Sequence, residues 1–127
     1  MIRNTLHFSP WWFAGGMGLV LLVVVGSLYT ADVPGPPLPS DKLVHTFCYF
    51  VLMAWFGGVY QRSAHWRVAL ALCLLGVVLE GLQALGGVRQ GDLLDALANS
   101  VGIVIGMVPG LLIPGGWCRY AERIVVR

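Results

Sequence analysis

Charge is what this sequence has least of. Asp, Glu, Lys and Arg make up 11% of its 127 residues, where an ordinary soluble domain carries about a quarter. That excludes a conventional soluble enzyme with a charged coat. A formal net charge of only +2 also excludes the basic face of a nucleic-acid binder. Cysteine is scarce as well: Cys48, Cys73 and Cys118, an odd count with no C-x-x-C spacing, give neither a disulfide framework nor a zinc or redox signature. They read as small apolar packing residues. H-E-x-x-H is missing, and Ser100 stands outside any G-x-S-x-G context, so neither a zincin nor an α/β-hydrolase nucleophile is indicated. There is no internal repeat, and low complexity is confined to the proline-rich stretch 31–40 (ADVPGPPLPS).

Apolar sequence is abundant instead. Hydrophobic residues make up 57%, which excludes disorder. Charge-free runs extend from Arg3 to Asp32, from Lys42 to Arg62 and from Asp95 to Arg119, and a further run over 68–85 is broken only by Glu80 and Gln83. A bilayer core of about 30 Å needs about 20 apolar residues per helix. The expected fold is therefore all-α: a polytopic membrane protein, one domain over 1–127, with a four-transmembrane-helix bundle at 11–29, 41–60, 67–85 and 92–113. The first span has a longer apolar core than the roughly 7–15 residues of a signal peptide, so it reads as a retained anchor. Ser40 is the expected N-cap of the second helix. Gly86-Gly87 and Pro114-Gly115-Gly116 are the expected stops of the third and fourth.

Lys and Arg in short loops set orientation. With four spans, Arg3, Arg62, Arg67, Arg119, Arg123 and Arg127 share one side with Glu122. Lys42 and Arg89 lie on the other with Asp32, Asp41, Glu80, Asp92 and Asp95. Both termini are expected in the cytoplasm. His65, beside Arg62, Trp66 and Arg67, reads as part of an inner interfacial belt.

Polar groups inside a membrane are costly and by default mark function. Here they gather in one outer layer. Asp41, Lys42 and His45 open the second helix; Glu80 and Gln83 close the third. Arg89 follows, and Asp92, Asp95 and Asn99 open the fourth. At about 100° per residue, Asp41 and His45 stack about 40° apart, and Glu80 and Gln83 about 60° apart. Gly102, Gly106 and Gly110 continue the stripe of the fourth helix inward, a pattern that admits a close neighbour. That neighbour is expected to be the third helix, with Cys73 and Gly76 on its facing line. The layer carries an excess of carboxylates, which a proton on Glu80, a cation or a basic ligand would neutralise. His45, Glu80 and Asp95 are the residues a metal would use. Without a histidine pair or cysteine pair, no metal and no cofactor are expected.

Three blocks, Asp41-Lys42-x-x-His45, Glu80-x-x-Gln83 and Arg89-x-x-Asp92-x-x-Asp95-x-x-x-Asn99-x-x-Gly102, resemble the VanZ-like family of small bacterial membrane proteins. The resemblance covers about residues 38–110 and departs at 84–88, where family members often carry a proline before the arginine. It implies a helical protein of the bacterial cytoplasmic (inner) membrane, with a role in the cell envelope or in glycopeptide-antibiotic resistance. The expected partners are membrane lipids and a lipid-linked or glycopeptide ligand, and no nucleic acid. Lys42 and Arg89 would hold an anionic group, and Gln83, Asp92, Asp95 and Asn99 would bond hydroxyls or amides. Two alternatives stay open. The site could be a transferase or hydrolase acting on a lipid head group, with His45 as base, oriented by Asp41, and Glu80 as acid. Or the layer could serve only structure and assembly.

Overall fold

The computed structural model describes residues 2–3, 6–30, 39–86 and 93–125. Helices α1 (Ser9–Thr30), α2 (Pro39–Val59), α3 (His65–Leu85), α4 (Leu93–Leu112) and α5 (Trp117–Val125) follow in order, with one 3₁₀ turn at Arg62–Ala64 before α3. The first four are long and apolar enough to cross a membrane. The protein is an all-α membrane protein, a bundle of four spanning helices.

Each span begins and ends close to where the sequence places it. Ser40 is a correction: α2 already starts at Pro39, so Ser40 lies inside the first turn. Proline suits that first helical position because its missing N–H would be unbonded there in any case. At the end of α3, Gly86 keeps a right-handed φ of −69°. Gly115 and Gly116, with φ of 80° and 82°, do use the left-handed region after α4.

Tyr49, Leu52, Met53 and Phe56 of α2 form the core with Leu72 of α3 and Ile103 of α4. α1 instead turns Leu21, Leu22 and Val25 outward, as expected of a helix apolar all round and facing lipid. The glycine stripe of α4 is a second correction: it packs mainly on α2, and meets α3 only where Gly110 reaches His65. A Cβ on Gly102 would strike the Thr46 carbonyl, one on Gly106 would lie 2.6 Å from the Phe50 carbonyl oxygen, and one on Gly110 would lie 3.0 Å from that of Gly57. The Thr46 hydroxyl crosses this contact, 2.8 Å from the Lys42 carbonyl and 3.2 Å from that of Ala98. Helical spacing fixes which face the glycines share, but not which neighbour fills it. α2 wins because Gly57 and Thr46 keep its facing surface equally low.

At the other end of the bundle, His65 is buried, 1% exposed. Its Nε2 lies 3.1 Å from the Gly57 carbonyl and 3.3 Å from that of Tyr60. It braces the α2–α3 turn rather than joining an interfacial belt, which is a third correction. Trp66 is exposed, and the Arg67 guanidinium sits 5.3 Å from its ring, so those two do suit a belt.

The chain after α4 is not simply a basic flank. α5 is amphipathic: Cys118 and Glu122 face the bundle while Tyr120, Ile124 and Val125 face out. Glu122 accepts hydrogen bonds from the backbone N–H of His7 and Phe8, each at 2.9 Å, and from Trp12 Nε1 at 2.7 Å. Burial opposes its charge, but these bonds outweigh burial and hold its pKa below the usual glutamate value. Burial, reinforced by the nearby Glu122 charge, pushes the Cys118 thiol up to about 12.

Trp12, Trp55 and Trp117 close this end, with ring centroids 5.3–5.6 Å apart. Trp55 Nε1 donates to the Trp12 carbonyl at 2.9 Å and Trp117 Nε1 to that of Ala54 at 2.8 Å. The Arg3 N–H donates to the Val59 carbonyl at 3.0 Å. The segment before α1 and α5 therefore sit at the same end.

Candidate functional site

A cavity of about 220 Å³ opens between α1, α2, α3 and α4 at the opposite end. Its polar lining is Ser27, His45, Tyr49, Glu80 and Asn99; Leu22, Val23, Val44, Cys48 and Leu79 make the rest apolar. A wider groove lies toward the tryptophan end, lined by Phe13, Phe56, Leu72 and Leu75 with Arg67 as its one charge. That groove lacks convergent polar groups, which the cavity has.

The helices place the cavity residues by simple periodicity. Lys42, His45 or Thr46, and Tyr49 follow one another at three- and four-residue steps on α2, as Asp95 and Asn99 do on α4. The Lys42 Nζ lies 3.2 Å from Asp95 Oδ1, with Asp95 only 1% exposed. His45 Nδ1 lies 3.1 Å from Asn99 Oδ1. An amide oxygen only accepts, so Nδ1 is the donor in this contact. Gly76 makes room here: a Cβ on it would lie 3.0 Å from Asn99 Nδ2 and 3.2 Å from the Tyr49 hydroxyl. That hydroxyl is buried and has no hydrogen-bond partner among the described residues.

Of the residues expected at the site, His45, Glu80, Asp95, Asn99 and Lys42 come together. Ligand atoms of His45, Glu80 and Asp95 lie within 4.8 Å of one another. Asp41 lies in the first turn of α2, half-buried, one turn outward of His45. Gln83 faces elsewhere: its Nε2 donates to the Ser27 carbonyl at 2.8 Å and reaches the Ser27 hydroxyl at 3.0 Å, tying α3 to α1. Arg89 and Asp92 lie outside the described residues. Tyr49 and Ser27 are additions. Tyr49 was legible in principle, since it is one helical turn below His45 and Thr46.

Among the described residues, three carboxylates (Asp41, Glu80, Asp95) and one ammonium (Lys42) belong to this end.

No family model matches the chain, and no solved structure matches it. It is similar to an uncharacterized protein, C11E3.10, of the fission yeast Schizosaccharomyces pombe, at 29% identity over 117 residues, which covers 88% of this chain and 71% of that protein.

Proposed function

We propose that this membrane protein binds an amphiphile, with the apolar part against Leu22, Val23 and Leu79 and the polar head at His45, Glu80 and Asn99. The observation that carries this is the cavity's two-sided lining, apolar walls converging on a polar floor within a spanning bundle. The VanZ-like resemblance belongs with this reading. It points to a lipid-linked envelope molecule, a bacterial inner membrane and a role in glycopeptide response. The three motif blocks support it. The distribution of arginines supports cytoplasmic termini and an extracytoplasmic cavity; reporter fusions at each end test that.

Farnesyl phosphate, a short polyisoprenyl phosphate, is a direct probe. It should raise the thermal midpoint of the purified protein in detergent. Gly26→Phe should abolish that shift, because Gly26 lines the cavity and a Cβ there would meet nothing within 4 Å among the described residues. An equal shift in the variant, or none in wild type, refutes the reading. Teicoplanin susceptibility of a host expressing wild type or Gly26→Phe tests the glycopeptide role.

A second reading, catalysis on the head group, is favoured by the His45 ring and Glu80 carboxylate sharing the cavity. Turnover unchanged by His45→Ala excludes His45 as its base.

A further inference from the structure

We infer that His45, Glu80 and Asp95 form a site for one divalent first-row cation, with its open positions facing the cavity beside the Tyr49 hydroxyl. This goes beyond amphiphile binding and stands or falls separately from it.

Three observations converge. First, the three residues come from three helices, yet their ligand atoms lie within 4.8 Å of one another. Donors about 2.1 Å from a common tetrahedral ion are about 3.4 Å apart, so closure asks the side chains to draw together by about 1 Å. Second, Asn99 Oδ1 holds His45 Nδ1 at 3.1 Å. That leaves Nε2 as the free donor, the way metal-binding imidazoles are commonly oriented by a second hydrogen bond.

Third, the Tyr49 hydroxyl is buried, lines the same cavity and has no hydrogen-bond partner among the described residues. A water or head-group oxygen on the ion would be its partner. One imidazole with two carboxylates suits Zn²⁺ or Mn²⁺ better than Cu⁺, which prefers sulfur. Three protein ligands also leave room for an exogenous one.

The test is equilibrium dialysis of the EDTA-treated protein in detergent against Zn²⁺, together with optical titration by Co²⁺. One ion per chain is expected. Visible Co²⁺ bands should appear without thiolate charge-transfer absorption, since Cys48 lines the cavity but is not a ligand. His45→Ala and Glu80→Gln should each weaken binding by at least about tenfold, at unchanged elution volume. Lys42→Met, which removes the competing ammonium, should bind at least as tightly as wild type. If His45→Ala fails to fold, Glu80→Gln and the wild-type spectrum decide. No bound ion, a thiolate spectrum, or equal affinity in both ligand variants overturns the proposal.

Discussion

Lys42 on α2 and Asp95 on α4 form an ion pair, 3.2 Å between Nζ and Oδ1, in which the carboxylate is buried and the ammonium side chain stays 33% exposed. The two helices that bear it are the same two joined by the glycine stripe. Lys42→Met strips a buried carboxylate of its ammonium and should cost about 3 kcal/mol in thermal or denaturant unfolding. Lys42→Met with Asp95→Leu together should recover most of that loss, because the charge that must be compensated is gone.

The α2–α4 contact should tolerate no methyl group. Gly106→Ala would bring a Cβ to 2.6 Å from the Phe50 carbonyl oxygen, and should destabilise by about 3 kcal/mol. Gly81→Ala on α3 has nothing within 4 Å, and should be neutral or stabilising by up to about 1 kcal/mol. Paired thermal melts of the two variants check this.

Tyr49→Phe removes a buried hydroxyl that has no partner among the described residues. The protein without ligand should gain about 1 kcal/mol of stability, while its thermal shift with farnesyl phosphate should shrink. A loss of stability without ligand would mean that the hydroxyl is satisfied within the protein.

Glu122 sets a pH limit on α5. Its folded pKa lies below the ordinary value, so its stabilisation is present above the unfolded glutamate pKa of about 4.3 and is lost as pH falls through the folded value. Tryptophan fluorescence should report release of Trp12 and Trp117 in acid below about pH 4. Glu122→Gln should remove that transition and loosen α5 at neutral pH.

The cysteines should react unequally. Cys118 is fully buried, with its thiol pushed up to about 12, and should resist maleimide until the protein unfolds. Cys48 lines the cavity and should label faster, with farnesyl phosphate slowing it.

The four spans were legible because an apolar run of bilayer length has few other stable outcomes in a single chain. The cluster of His45, Glu80, Asp95 and Asn99 was legible for a related reason: intramembrane polar groups at one depth tend to meet. What helical spacing does not carry is the identity of the neighbour. The glycine stripe went to α2, and Gln83 turned to Ser27 on α1. His65 and Glu122 were harder still. Each sits at a bundle end rich in arginine, where a polar residue is cheap to expose. Only the backbone groups they bond, those of Gly57 and Tyr60 for His65 and of His7 and Phe8 for Glu122, reveal that they are buried.

The bond from Trp12 to Glu122 joins residues 110 apart in sequence, and it bears on how the protein is made. During synthesis α1 enters the membrane long before its partner at that end has left the ribosome. Until α5 arrives, the first helix has only its contacts with α2 and α3 to hold its lower end. Chains stalled before Trp117 should therefore be open to quality-control proteases at α1. Assembly of this end would then wait on α5, a small amphipathic helix acting as the latch that holds α1 in place.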